Sequence, residues 1–374
     1  MESVNSLLIG IPVFIILLGP LMFVHELGHF ILAKRSGIRV EEFGMGFPPR
    51  AATLFQRGET AYTLNWLPIG AFVRMTGEEN PDDPRSFAAQ PIRARFLTLV
   101  AGPAANFIFA VVVLFLAYLF FATAPVEARY RITGVKADSV AEALGLLPGD
   151  VVLSVNGIDA TEKLEPNRAQ DTFVLRQQSM ASIGKPFSVV VQRENAAPSQ
   201  SPSPSVVEIQ GTIPADADPA LPLGVSLGLE VIRSERVYYT PVEAFTVAVS
   251  DLASAVASLV RAPAELIAGR VSPELARPVS VVGITSIGVS LLEQGAFPFV
   301  RFAGLLSMLI GITNLLPFPA LDGGRILFVL LEWVRGKRVD PRREQWVHGI
   351  GMILLLALSA IIIAFDIINP IRLP

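Results

Sequence analysis

The chain of 374 residues is 52% hydrophobic and 17% charged, with a mean hydropathy of +0.53, which excludes an ordinary soluble protein and is typical of a multi-span membrane protein with one polar module. Its net charge of −3 predicts no nucleic-acid partner. Because there is no cysteine, disulfides and thiolate ligands are excluded, and a metal site must use carboxylates and the three histidines, His25, His29 and His348.

The first predicted membrane span covers about residues 7–33 and contains His25-Glu26-Leu27-Gly28-His29, an H-E-x-x-H pattern. Residues four apart share one face of a helix, so both imidazoles can point at one metal ion while Glu26 accepts a proton from water. Such polar side chains are costly inside a membrane and persist there mostly with a partner or a function. The alternative is a helix end whose polar side chains reach the membrane interface.

The next segment, residues 34–95, contains nine Lys and Arg residues, so the positive-inside rule places it in the cytoplasm. Residues 43–49 form a turn-rich apolar patch. Short strands of a hairpin or small sheet are predicted at 51–55, 61–66 and 71–75. Because these strands are unusually apolar, we expect a membrane-associated β element over residues 43–76, the alternative being a small soluble sheet.

The second predicted span, residues 96–121, opens with small residues that allow another helix to approach closely. Asn106 is its polar exception, and it either bonds a neighbouring helix or touches the substrate or the metal-site residues. The span runs from inside to outside, so the polar module of residues 126–235 is extracytoplasmic. Within the module the patterns predict a helix at 139–144, strands at 151–155, 187–192 and 206–209, and a flexible Pro/Ser-rich excursion at 196–205.

The C-terminal part contains two further predicted spans, about residues 302–316 and 347–368, joined by a basic cytoplasmic loop. Residues 242–260 can either span the membrane or lie flat on it, and we favour an interfacial helix. Pro317 and Pro319 break the third span just before Asp322, a carboxylate that is costly near the membrane interior unless it is paired.

A catalytic zinc ion uses three protein ligands and one open position. Asp322 is the best candidate for the third ligand because its predicted depth agrees with that of His25 and His29, and His348 is the rival. Glu26 would act as the general base. Asn314 would hydrogen-bond the substrate backbone or the developing oxyanion, unless it only caps the broken helix.

Four segments, in this order, resemble the site-2 protease family of intramembrane zinc metalloproteases, and specifically its bacterial branch of RseP-like (regulator of sigma-E) proteases. They are HELGH at 25–29, LNWLPIGAFV at 64–73, AGPAAN at 101–106 and NLLPFPALDG at 314–323. The segment GLLPGD at 145–150 is similar to PDZ domains.

The resemblance implies a polytopic α-helical membrane protein of about four transmembrane helices, with a membrane-associated β-hairpin and an extracytoplasmic PDZ-like α+β domain. The expected parts are an N-terminal membrane half (1–125), the PDZ-like domain (126–235), an amphipathic interfacial region (236–298) and a C-terminal membrane half (299–374). The resemblance also implies Zn²⁺ held by His25, His29 and Asp322, Glu26 as base and a substrate contact by Asn314. We further expect Asn65, Asn106 and Pro317 to bind the substrate.

Members of this branch cut membrane-anchored anti-sigma factors that an upstream, site-1-type protease has shortened, and some cut remnant signal peptides. We therefore expect such substrates here, in a bacterial plasma (inner) membrane, with the active site towards the cytoplasm. The best-known members carry two PDZ domains, whereas residues 126–235 have room for one, which we expect to act as a steric gate rather than by peptide capture. One alternative is a non-proteolytic membrane adaptor. Another is a zinc transporter, but the polar residues cluster at one depth, which disfavours a transport path across the membrane.

Overall fold

The computed structural model describes residues 2–78, 81–164, 174–193, 205–219, 221–268 and 277–369. For residues 2–9 and 69 it describes the backbone alone. The chain divides into two compact units, residues 1–121 with 238–373, and residues 122–237. The predicted Pro/Ser-rich excursion lies, except for its last residue, outside the described residues.

Apolar helices make up most of the first unit, and two short helices, α3 and α4, lie in the described part of the second. The helices are α1 (Glu2–Arg35), α2 (Ile92–Phe120), α3 (Val140–Ala143), α4 (Val174–Ala181), α5 (Pro241–Ile267), α6 (Val281–Gln294), α7 (Ala296–Leu315), α8 (Asp322–Arg335) and α9 (Pro341–Ile368). The strands are β1 (Val40–Arg57), β2 (Thr60–Met75), β3 (Thr123–Val135), β4 (Val151–Val155), β5 (Ile158–Asp159), β6 (Glu162–Lys163), β7 (Pro186–Arg193), β8 (Ser205–Thr212) and β9 (Val225–Arg236).

Five helices in the described part of the chain are long and apolar enough to cross a membrane: α1 from Gly10 onwards, α2, α5, α7 and α9. The architecture is therefore that of a polytopic α-helical membrane protein. The sequence predicts four spans, and the additional candidate is α5, whose residues 242–260 were expected at the interface. The sequence also did not predict α8, the amphipathic helix that begins at Asp322.

Helices α2 and α7 pack closely because small residues line their contact. A Cβ on Gly304 would press on Leu114, and a Cβ on Gly311 would press on the carbonyl of Pro103. The hydroxyl of Ser307 donates a hydrogen bond of 3.0 Å to the backbone oxygen of Asn106. This contact fixes the part of α2 that faces α1.

Strands β1 and β2 form a curled hairpin in which each strand bends back on itself. Four segments therefore lie side by side, in the order 71–75, 40–45, 61–64 and 52–57. The predicted turn-rich patch over 43–49 lies within β1, at the place where this strand bends. Gly46 has a φ of +76° and leaves no room for a Cβ beside the Leu67 carbonyl, so the strand bends there without leaving the sheet.

The second unit is an antiparallel sheet of order β6-β3-β4-β7-β8, with β9 pairing the other side of β3 and β5 pairing β4. Its core contains Tyr130, Val152 and Phe187. The predicted helix and the three predicted strands are confirmed, and Ser139 caps the helix. Strands β3 and β9 and helix α4 were not predicted, although the alternation of buried and charged residues along 127–132 is a strand signal.

Candidate metal centre

Three side chains from the two ends of the chain meet inside the first unit. His25 and His29 come from α1, and Asp322 is the first residue of α8. Nε2 of His25 lies 2.9 Å from Oδ2 of Asp322, and Nε2 of His29 lies 3.2 Å from each of these two atoms. These residues form a group of possible metal ligands whose donor atoms all lie within 4.8 Å of one another.

This donor set fits a zinc ion. Two nitrogens and one carboxylate oxygen are ligands typical of catalytic zinc, which keeps its fourth position for water or substrate. Ligand atoms bound about 2.0–2.1 Å from a tetrahedral ion lie roughly 3.3 Å from each other. The three observed separations of 2.9, 3.2 and 3.2 Å are close to that spacing, so a small adjustment of the side chains admits the ion.

The close approach of α1 and α2 orients the ring of His29. A Cβ on Gly28 would collide with the backbone of Ala101, and a Cβ on Gly102 would collide with the His29 ring itself. The carbonyl oxygen of Thr98 accepts a hydrogen bond of 2.7 Å from Nδ1 of His29. Because Nδ1 then carries the proton, the lone pair of Nε2 faces the other two ligand atoms.

His25 also contacts α2 through its second ring nitrogen. Nδ1 of His25 lies 3.2 Å from Nδ2 of Asn106, whose side chain is fully buried. The Asn106 side chain therefore bonds a neighbouring helix, and its partner there is a residue of the candidate metal group.

Asp322 is positioned by the tight turn between α7 and α8. Ala320 adopts a left-handed conformation with a φ of +77°, which is costly for a residue with a Cβ. Its N–H donates a hydrogen bond of 3.0 Å to Nδ1 of His348 on α9. His348, the rival ligand in the sequence analysis, thus holds the turn and is not in the group of three. Gly323 and Gly324 pack directly on backbone carbonyls of the same turn.

Glu26 lies beside the three candidate ligands, on the side of α1 that faces β2. Its carboxylate lies within electrostatic reach of His25, His29 and Asp322 and close to the backbone of Val73. Val73 belongs to segment 71–75, an edge of the curled hairpin. The candidate base therefore lies between the metal ligands and an edge strand.

The remaining predicted site residues have contacts of other kinds. Asn65 is buried and donates to the carbonyls of Met45 and Gly46 within the hairpin. Asn314 is half-buried and donates a hydrogen bond of 3.0 Å to the Ile310 carbonyl of its own helix. Pro317 is exposed in the turn that ends α7. Sequence reasoning missed the Thr98 carbonyl, for which the side chain gives no signal.

A cavity of about 60 Å³ lies between α2, α8 and α9, and none of the candidate ligands lines it. Leu99, the residue after Thr98, lines it, and so does Arg325, one turn after Asp322. Its other lining groups include Glu78, which pairs with Arg325 at 2.7 Å, and Glu332. A polar cavity of this size can hold water.

The chain is similar to known zinc metalloproteases over almost its whole length. The family model described as peptidase family M50 matches residues 13–358. A predicted zinc metalloprotease of Nostoc sp. (strain PCC 7120) is 31% identical over 364 residues, 93% of each chain. Another, of Clostridium perfringens, is 30% identical over 357 residues, 94% of this chain and 96% of its own. The zinc metalloprotease RasP of Geobacillus kaustophilus is 28% identical over 437 residues, 95% of this chain and 96% of its own.

Proposed function

The chain belongs to peptidase family M50, the site-2 zinc metalloproteases, and from this premise we propose that it cuts the transmembrane segments of pre-trimmed, single-span membrane proteins. It is a multi-pass, zinc-dependent metalloendopeptidase. The proposed substrates are anti-sigma factors or remnant signal peptides that an upstream site-1-type protease has shortened. The proposed location is the bacterial plasma membrane.

One observation carries the proposal: His25, His29 and Asp322 converge although Asp322 is 297 and 293 residues away from the two histidines. Bringing these polar groups together in an apolar bundle is costly unless they share a partner. A zinc ion is a partner that satisfies all three, so we assign them as its ligands.

Each neighbouring residue has a proposed task in peptide hydrolysis. When bound, zinc supplies a Lewis acid that makes water nucleophilic near neutral pH and polarises the scissile carbonyl. Glu26 takes the proton of the attacking water and passes it to the leaving amine. Asn314 keeps its proposed role at the substrate backbone or the oxyanion, because its hydrogen bond to Ile310 occupies only the amide nitrogen.

The edge of the hairpin at 71–75 is the proposed substrate platform. A helical substrate must unwind before its peptide bond can be cut, and an extended chain can add to a strand edge through backbone hydrogen bonds. Asn65 would shape this platform by fastening β2 to the carbonyls of β1, and Pro317 would present the exposed turn opposite. The ring of Phe43 contacts Phe23 and Phe30 of α1 at 5.4 and 5.2 Å, which supports a hairpin at membrane depth.

We propose that α5 lies across the outer end of α2 instead of crossing the membrane. Tyr239 and Asp251 both contact Tyr118, and Phe245 contacts Phe115. Tyr239 precedes the helix, and Phe245 and Asp251 are about 9 Å apart along α5, whereas 115 and 118 are about 4.5 Å apart along α2. Helices that run side by side do not have such contacts, so α5 crosses α2 steeply, as an interfacial helix would. The remaining four spans agree with a cytoplasmic active site.

The second unit is proposed to be a single PDZ-like domain outside the cytoplasm that acts as a size filter. A groove of about 110 Å³ lies between α4 and the start of β9, with residues 221–224 at one end. Strand β9 pairs only with β3 among the described strands, so its other edge is free for strand addition. Our first proposal for this domain is a steric gate. The groove supports a second candidate role, the capture of a peptide.

The test is a Glu26→Gln variant of the full-length protein, assayed on a model single-span substrate in detergent micelles or vesicles. We expect bound zinc to remain and cleavage to fall by at least about 100-fold, since general-base catalysis contributes roughly that factor or more. Glu293→Gln, which neutralises an exposed carboxylate at the end of α6, serves as the matched control and should cleave normally.

Cleavage by Glu26→Gln at the wild-type rate would remove Glu26 as the base. A membrane adaptor, the competing function, would tolerate Glu26→Gln in cells but not the loss of the second unit. Proteomics of membrane peptides in cells carrying either form distinguishes the two, because uncut substrates accumulate only if the protein is a protease.

A further inference from the structure

We infer that Asn106 is a positioning residue for His25: its side-chain oxygen accepts the hydrogen bond from Nδ1–H of His25 and so makes Nε2 the nitrogen that binds zinc. The inference rests on the proposed metal site and adds a residue that fixes its geometry.

The structure holds Asn106 firmly against His25. Its side chain is fully buried on α2, and its backbone oxygen accepts the Ser307 hydroxyl of α7 at 3.0 Å. The backbone of Asn106 thus bonds α7. The side chain remains directed at Nδ1 of His25, at 3.2 Å.

The position of the imidazole proton decides which hydrogen-bond partner His25 requires. A neutral imidazole carries one N–H and one lone pair. Nε2 of His25 faces His29 and Asp322, so a lone pair on Nε2 is what a zinc ligand must provide, and the proton must then sit on Nδ1. A buried N–H needs an acceptor, and in metal sites this acceptor fixes both the tautomer and the orientation of the ring.

Only the oxygen of the Asn106 amide can be that acceptor, because an amide nitrogen is a donor. Oδ1 of Asn106 is buried and has no hydrogen-bond partner among the described residues. Nδ2 and Oδ1 are nearly equal in size, so a half-turn of the amide exchanges them without altering the packing. Oδ1 then receives the Nδ1–H of His25, the donor that it otherwise lacks.

The ring of the second histidine, His29, is oriented by a hydrogen bond of the same kind. Nδ1 of His29 donates to the carbonyl of Thr98, two turns earlier on α2. Helix α2 thus orients both zinc-binding rings, one through a backbone carbonyl and the other through the Asn106 side chain. A backbone carbonyl cannot be mutated, whereas Asn106 can.

The test compares substitutions that keep or remove the acceptor. The Asn106→Asp side chain has an oxygen acceptor but no N–H donor. The Asn106→Leu side chain has a similar volume but neither an acceptor nor a donor. Asn106→Ala also removes both groups, and its smaller side chain causes no steric conflict. Zinc affinity is measured on the purified full-length protein in detergent by competition with a chelator. We expect roughly 10–100-fold weaker binding in the Leu and Ala variants and binding within about threefold of wild type in Asn106→Asp.

Two results overturn the inference: wild-type affinity in both Leu and Ala variants, or an equal loss in Asn106→Asp, which would mean that the donor or the amide shape matters. Thermal unfolding in excess chelator checks that each variant folds, and Glu293→Gln, which changes an exposed side chain at the end of α6, should keep wild-type affinity. A His25→Ala variant with unchanged zinc affinity would instead refute the ligand set, so the two failures are distinguishable.

Discussion

The contact between Gly102 and His29 allows a quantitative test of how the metal site is built. In an open helix interior, replacing glycine by alanine stabilises by about 1 kcal/mol. In Gly102→Ala the new methyl group would occupy the position of the His29 ring. The ring must then move, which lengthens its 2.7 Å hydrogen bond to Thr98 and displaces Nε2 from the other ligand atoms.

We expect Gly102→Ala to weaken zinc binding by about 10–100-fold, as loss of ring orientation does in other sites, or about 1.4–2.8 kcal/mol. The assay is chelator competition on purified protein, with total zinc measured by mass spectrometry. Gly19→Ala is the matched control, since a Cβ there on α1 meets nothing within 4 Å. Wild-type zinc affinity in Gly102→Ala would refute the view that the α1–α2 contact sets the position of His29.

Two further predictions concern residues outside the ligand set. The His348→Ala variant should still bind one zinc ion at saturation, but about fivefold more weakly. The reason is that the N–H of Ala320 loses its hydrogen-bond acceptor, which costs about 1 kcal/mol. If the variant no longer binds one zinc ion per chain, His348 is a ligand. Burial raises the pKa of Glu332, but the Arg95 guanidinium at 2.6 Å outweighs it and holds the pKa below its usual value. The ion pair therefore stabilises the fold above the unfolded-state pKa and loses that contribution as the pH falls through the folded-state pKa, so thermal unfolding of wild type should be more acid-sensitive than that of Glu332→Gln.

Local patterns made the early half of the site predictable. The spacing of His25 and His29 depends only on helical periodicity, which holds whatever surrounds α1. Asp322 could be nominated from topology, because span orientation and charge bias set its approximate depth. What could not be predicted is the tertiary contact that orients each ring. The Thr98 carbonyl has no side-chain signature, and nothing in a sequence states that Gly102 faces a histidine.

The fold shows the same division. Long apolar runs predicted the membrane helices, and alternation predicted three of the four segments of the curled hairpin. The missed segment, 40–45, includes Gly44, whose missing side chain makes room for Phe72 of the neighbouring segment. In a single sequence a glycine predicts a turn, whereas Gly44 allows close packing inside a strand. Helix α8 was missed because its amphipathic pattern follows directly on a proline-rich break and leads into a basic loop.

The glycines around the site have one physical consequence in common. At Gly28, Gly102, Gly323 and Gly324 a Cβ would collide with a carbonyl or with the His29 ring, so α1, α2 and the turn before α8 approach to backbone distance. Side chains at such contacts have little freedom to relax, and the donor atoms of the candidate ligands are held close together by the packing. A site preorganised in this way loses less entropy on metal binding. Zinc affinity should therefore report on how closely these backbones pack, which is why the glycine substitutions test the architecture more directly than removal of a histidine.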